Sequence, residues 1–131
     1  MEIELEDNSQ SHLNELTFDK FHDECGIFAV WNHPESANLA YLGLYAQQHR
    51  GQEGAGVVAF GEDGVVRSQK DLGLVDEVFA DYDFSQLPGK SALGHVRYTT
   101  AGGNLIANVQ PFYAELGFGK VAVAHNGNLI M

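Results

Sequence analysis

The 131-residue sequence predicts an α+β fold, an antiparallel sheet with helices on a face. Three observations carry that reading. A strand-like apolar run, Cys25 to Trp31, is followed by one stretch at helical spacing, Ser36 to Arg50. Hairpin-like segments come next in place of repeated strand–helix units, which argues against a parallel sheet. The charge also divides the chain at residue 24. Met1 to Glu24 holds eight acids and one lysine (-7), and Cys25 to Met131 holds ten acids and six bases (-4), giving the total of -11.

The leader, Met1 to Glu24, is acidic and polar with few apolar residues, so it reads as an extended or loosely ordered arm. Cys25 to Trp31 reads as a strand ended by Asn32-His33-Pro34, because proline cannot donate to a ladder. Ser36 is the expected N-cap of the helix. Leu39, Leu42, Tyr45, Ala46 and His49 then recur at spacings of three and four, and Gly51 falls just past the end. Ala55 to Phe60 and Val65 to Gln69 flank Gly61-Glu62-Asp63-Gly64 as a hairpin. Leu74 to Ala80 reads as a short helix. Ala92 to Tyr98 and Val121 to His125 read as further strands, the first running into a small polar loop and the second into Asn126-Gly127-Asn128.

Composition excludes several classes of function. With 44% apolar residues the body is an ordinary globular domain. Its negative charge and lack of a basic stripe disfavour nucleic acid and anionic membranes as partners. No apolar run approaches the roughly 20 residues that span a bilayer, and the leader lacks the basic start and apolar stretch of a secretory signal. A cytoplasmic location is the default expectation. Cys25 is the single cysteine, so it cannot form an internal disulfide, and packing, metal ligation or nucleophilic chemistry remain for it.

Three strings combine glycine with hydrogen-bonding residues at element ends: Gln48 to Gly56, Gly94 to Gly102 and Ala124 to Leu129. Glycine lets backbone approach a ligand, and the amides of an Asn-Gly turn can converge on an oxygen. Gly54-Ala55-Gly56 is not a dinucleotide loop, since it precedes a strand instead of leading from one into a helix. His49, His95 and His125 lie in separate segments without the compact spacing of a metal site, so no metal is expected here. Taken singly, each feature has a plainer reading: a buried thiol for Cys25, a paired arginine for Arg97, a hairpin turn for Asn126-Gly127.

Together the strings resemble the N-terminal glutaminase region of the amidophosphoribosyltransferase family, class II glutamine amidotransferases of the N-terminal-nucleophile (Ntn) hydrolase kind. The resemblance covers Cys25 to Met131, and the Gln48 to Gly56 string is its most specific part. It implies an αββα four-layer sandwich of antiparallel sheets, here truncated at the C-terminal side. It also implies removal of the leader before Cys25, which would free an α-amine of pKa about 7.7 to 8.0 to serve as base for the thiol. On the same resemblance Asn126 and Gly127 form the oxyanion hole, Arg97 grips the glutamine α-carboxylate with Thr100 beside it, and Arg50, Gly51 and Tyr98 support the site.

Further implications concern the longer relatives. They use phosphoribosyl pyrophosphate and Mg2+ through a C-terminal domain outside this chain, some carry an iron–sulfur cluster, and they are homo-oligomeric. The expected role is hydrolysis of glutamine to supply ammonia for 5-phosphoribosylamine, the first step of purine synthesis. Two alternatives stay open on the sequence: an inactive fragment or interaction module that retains the motifs, or another class II glutamine amidotransferase.

Overall fold

A computed structural model describes residues 26–48, 52–98 and 106–125. Its centre is a four-stranded sheet. Strand β1 (Gly26–Trp31) pairs with β4 (Ser91–Tyr98), β4 with β2 (Gln52–Phe60), and β2 with β3 (Val66–Leu72), every pair antiparallel. Helix α1 (Ser36–Gln47) and the single turn α2 (Val75–Val78) follow β1 and β3 in the chain. A separate hairpin of β5 (Phe112–Leu116) and β6 (Gly119–Val123) forms a second, two-stranded sheet. The expected mixed architecture with antiparallel sheets is what forms.

Strand alternation gives the central sheet two different faces. One presents Ala55, Val57 and Ala59 from β2 with Ala92, Val96 and Tyr98 from β4, and packs against Ala37, Ala40 and Leu44 of α1 and Val75 and Val78 of α2. The helix sits close because position 94 is glycine: a methyl there would lie 2.8 Å from Leu44 Cδ1. Tyr41, Phe79, Tyr82 and Phe84 close the edge of this core, with Phe79 and Phe84 stacked at 5.8 Å between ring centres. The opposite face presents Gly54, Gly56 and Val58 with His95 and Arg97. Val109, Gln110 and Pro111 are buried, and the Gln110 carbonyl and Val109 side chain lie against the glycines of that face.

Two expectations at the helix are corrected. Ser36 is not the cap. It is the first helical residue, and its hydroxyl donates to the Gly89 carbonyl at 2.9 Å, which ties α1 to the turn before β4. The helix also stops at Gln47 instead of Arg50, because Gln48 is extended and its Oε1 accepts from Val75 N–H at 3.1 Å. Hairpin β2–β3 turns as expected over residues 61–65, where Asp63 accepts from Val65 N–H and pairs with Arg67 at 2.9 Å. That guanidinium holds the Asp63 carboxyl down to about 2. Strand β6 ends at Val123, two residues short of the expected His125, while β5 was not expected at all.

Candidate active site

Of the residues expected to form the site, Arg97 and Tyr98 lie among the described residues, whereas Cys25, Arg50, Gly51, Thr100, Asn126 and Gly127 lie outside them. Arg97 and Tyr98 end β4, and strand alternation sends them to opposite faces. Tyr98 joins the helical core, and its hydroxyl donates to the Gln47 carbonyl at 3.1 Å, pinning the last turn of α1 to the end of the sheet. Arg97 lies on the other face, opposite Gly54, and is only 6% exposed. An arginine so buried is not a solvated surface charge.

Two residues before it on the same face, His95 is fully buried. It faces Gly56 on β2 and Ile27 on β1. Its Nε2 lies 3.1 Å from the His125 carbonyl. A carbonyl can only accept, so the Nε2 proton makes this bond and Nδ1 carries the lone pair. Burial pulls the imidazole down to about 4, so the ring is neutral near pH 7. Nδ1 has no hydrogen-bond partner among the described residues.

His125 is held from its other side as well. Its N–H donates to Gln110 Oε1 at 2.7 Å. Gln110 is itself buried, and its backbone lies flat on β2 because positions 54 and 56 are glycine. A methyl on Gly56 would overlap the Gln110 carbonyl oxygen and come within 2.8 Å of Lys70 Cβ, and one on Gly54 would lie 3.1 Å from Val109 Cγ2. Lys70 closes the arrangement from β3, donating to the Pro111 carbonyl at 3.3 Å. Gly54 and Gly56 therefore admit chain, where sequence reasoning expected glycines of this string to admit ligand.

Gln52, in the same string, is 5% exposed and acts as a bracket. Its Nε2 donates to the Gly54 and Gly73 carbonyls at 2.8 and 2.6 Å, and its Oε1 accepts from Val75 N–H at 3.0 Å. The β-bulge between Gln52 and Gly54 is locked to the start of α2 in this way. Gln52 and Gln110 were not singled out from sequence. Nothing local marks a glutamine as a bracket, since the groups that Gln52 ties to β2, at Gly73 and Val75, lie 21 and 23 residues away and the His125 N–H that Gln110 holds lies 15 away.

Among the described residues no three His, Cys, Asp or Glu side chains converge to hold a metal ion, so neither magnesium nor cluster ligands are assigned to them. No helix among them is long and apolar enough to cross a membrane.

These parts meet at one end of the sheet. Gly26, the first residue of β1, pairs with Val96, which directly precedes Arg97, and Ile27 pairs with His95, which holds His125. The immediate chain neighbours of Cys25 and of Asn126 thus flank the strand end that carries Arg97.

No family model matches the chain. It is 48% identical over 128 residues to "Amidophosphoribosyltransferase 1, chloroplastic" of Arabidopsis thaliana, covering 95% of this chain and 23% of that protein. It is 50% identical over 108 residues to "Amidophosphoribosyltransferase" of Lacticaseibacillus casei, covering 82% and 55%. Among solved structures it is similar to the glutamine phosphoribosylpyrophosphate (PRPP) amidotransferase from B. subtilis complexed with ADP and GMP. That match has a TM-score of 0.64 and 41% identity, over 75% of this chain and 21% of that one. A structure described as the allosteric regulatory enzyme of purine biosynthesis matches with a TM-score of 0.65 and 44% identity, over 73% and 21%. The chain therefore spans about a quarter of the length of the plant relative and about half that of the Lacticaseibacillus protein. At close to half identity over most of its residues, the chain is a homologue of the amidophosphoribosyltransferases, matching their N-terminal region.

Proposed function

We propose that this chain supplies the glutaminase portion of an amidophosphoribosyltransferase, with Cys25 as an N-terminal nucleophile once Met1 to Glu24 is removed. The observation that carries this reading is the meeting of three sequence-distant segments at one end of β4. Gly26, which adjoins Cys25, pairs with Val96, Arg97 follows Val96 near the strand end, and His125, which adjoins Asn126, is held by the His95 side chain.

In the proposed reaction the free α-amine of Cys25 takes the thiol proton, and the thiolate attacks the side-chain amide carbon of glutamine. The carbonyl electrons move onto oxygen, where the Asn126 amide and the Gly127 N–H donate to the oxyanion. The C–N bond then breaks, the α-ammonium returns its proton to nitrogen, and ammonia leaves a thioester. Water hydrolyses that thioester through a second oxyanion to give glutamate. Arg97 suits the α-carboxylate because its planar fork can make two parallel bonds to it. Thr100 adds a hydroxyl partner, while Arg50, Gly51 and Tyr98 hold the surrounding backbone.

The ammonia would displace pyrophosphate from phosphoribosyl pyrophosphate in the rest of a longer, homo-oligomeric protein, giving 5-phosphoribosylamine for purine synthesis. Magnesium and any iron–sulfur cluster would serve that part. The helix-backed sheet and the β5–β6 sheet are read as the two inner layers of an αββα Ntn sandwich, working in a reducing compartment such as the cytoplasm.

The test is N-terminal sequencing, glutamine hydrolysis and labelling with a diazo-ketone glutamine analogue. Expected are an N-terminus at Cys25, one adduct on its thiol, and an Arg97→Lys variant with a KM for glutamine raised at least about tenfold through loss of the fork. A protein with a free Cys25 amine that neither hydrolyses glutamine nor takes up the analogue would overturn the proposal.

A further inference from the structure

Resting on that reading, we propose that His95 and Gln110 are positioning residues for the oxyanion donors, gripping both backbone groups of His125 and so fixing the path on which the chain enters Asn126-Gly127. Neither side chain would touch substrate. Their effect passes through one residue, whose N–H is held at 2.7 Å by Gln110 Oε1 and whose carbonyl is held at 3.1 Å by His95 Nε2. The peptide unit leaving His125 is planar, so holding its oxygen sets the plane from which the next residue continues. An oxyanion donor is effective only where it is aimed in advance at the position of the developing charge.

The anchors are built for rigidity. His95 is fully buried in the centre of the sheet, between Ile27 on β1 and Gly56 on β2. The backbone of Gln110 is seated on Gly56, and the carbonyl of the next residue is tied to Lys70. Packing alone does not account for a histidine at position 95. A buried ring whose Nδ1 has no partner among the described residues is a costly filler, and leucine or methionine would fill the space without an unpaired polar atom. What the imidazole adds is one well-directed N–H, and it is spent on the His125 carbonyl. The ring also cannot act as a general base through Nε2, because that nitrogen already carries the proton it donates.

The test uses the mature protein with its free Cys25 amine and three variants, His95→Leu, His95→Gln and Gln110→Met. A misplacement of about 1 Å can cost on the order of a hundredfold in rate, so His95→Leu and Gln110→Met are each expected to lower kcat for glutamine hydrolysis roughly 10- to 100-fold. The KM for glutamine should stay within about threefold, since Arg97 is untouched. His95→Gln, whose amide nitrogen can donate to the same carbonyl, should recover most of the loss. Alkylation of Cys25 by iodoacetamide forms no oxyanion, and its rate should be the same in all four proteins.

Undiminished kcat in His95→Leu, failure of His95→Gln to recover more than His95→Leu, or an iodoacetamide rate that falls in step with kcat would each overturn the clamp. The last result would mark a purely structural residue. Wild-type protein with no glutaminase activity would instead overturn the function on which the inference rests. A measurement on the wild type needs no variant to fold: nitrogen-labelled histidine NMR should show His95 as the neutral Nε2–H tautomer from about pH 5 to 8. An Nδ1–H tautomer would refute the proposal whatever the variants do.

Discussion

Replacing Gly56 by alanine tests the central packing claim, because the new methyl meets backbone and not the end of a flexible side chain. It would overlap the Gln110 carbonyl oxygen, come within 3.2 Å of the carbon behind it, and press on Lys70 Cβ at 2.8 Å from the other side. Neither partner can swing away, since Gln110 is held by His125 and position 70 is paired with Gly56 across β2–β3. Overpacking a filled interior costs about 1 to 3 kcal/mol. With a urea slope of about 2 kcal/mol/M, the middle of that range moves the unfolding midpoint by about 1 M. Two other glycines calibrate the result. Gly54→Ala, whose methyl would lie 3.1 Å from a valine methyl that can shift a few tenths of an ångström, should cost less. Gly117→Ala, with nothing within 4 Å, should cost almost nothing. Equal midpoints for Gly56→Ala and Gly117→Ala would refute the claim that the Val109–Gln110 segment lies against β2.

Gln52→Met keeps the volume but takes the side-chain donor from the Gly54 and Gly73 carbonyls, while the Val75 N–H keeps Gln48 Oε1 as acceptor. At about 1 kcal/mol for each of the two carbonyls, a loss of about 2 kcal/mol is expected by urea denaturation. The His95 imidazole, pulled down to about 4 by burial, with the nearby Arg97 charge acting in the same direction, makes stability depend on pH. The unfolded ring titrates near 6.5 and binds more protons than the folded one between the two values, so stability is full above about pH 6.5 and falls as pH drops toward 4. The whole step is worth at most about 3 kcal/mol. It should be absent from His95→Gln when midpoints are compared between about pH 4.5 and 7.

The strands bounded by turn residues were legible from sequence, including β1, which has no buried residue, whereas β5 was not. Ala92 to Tyr98 was read within one residue of β4, because the core face of that strand is all small or apolar. Strand β5 was missed because every one of its five residues is exposed, so Phe112 to Leu116 shows no buried face from which to read a period. Its one available signal was Gly117-Phe118 between two β-prone runs. β2 begins at Gln52, three residues before its expected start, because Gly54 looks like a loop residue although it pairs with both β3 and β4. The end of α1 was misplaced because Gln48 leaves the helix for a partner in α2, a contact between residues 27 apart in the chain.

Arg97 was marked from sequence only by the family resemblance, and its burial on the face opposite the helical core is what the structure adds. His95 and His125 were noticed only as candidate metal ligands and set aside on spacing. What joins them is a side-chain bond to backbone, which has no spacing signature. The three strings singled out from sequence are in fact one another's packing partners: Gly54 lies across from Arg97, Gly56 lies across from His95, and His95 holds His125. Their joint presence therefore carries more information than any one of them. An alanine at 56 would demand another path for residues 109–111, and another path would take Gln110 away from the His125 N–H. A glycine on β2 thus acts, through Gln110, on His125, the residue that adjoins the proposed oxyanion donors in the chain.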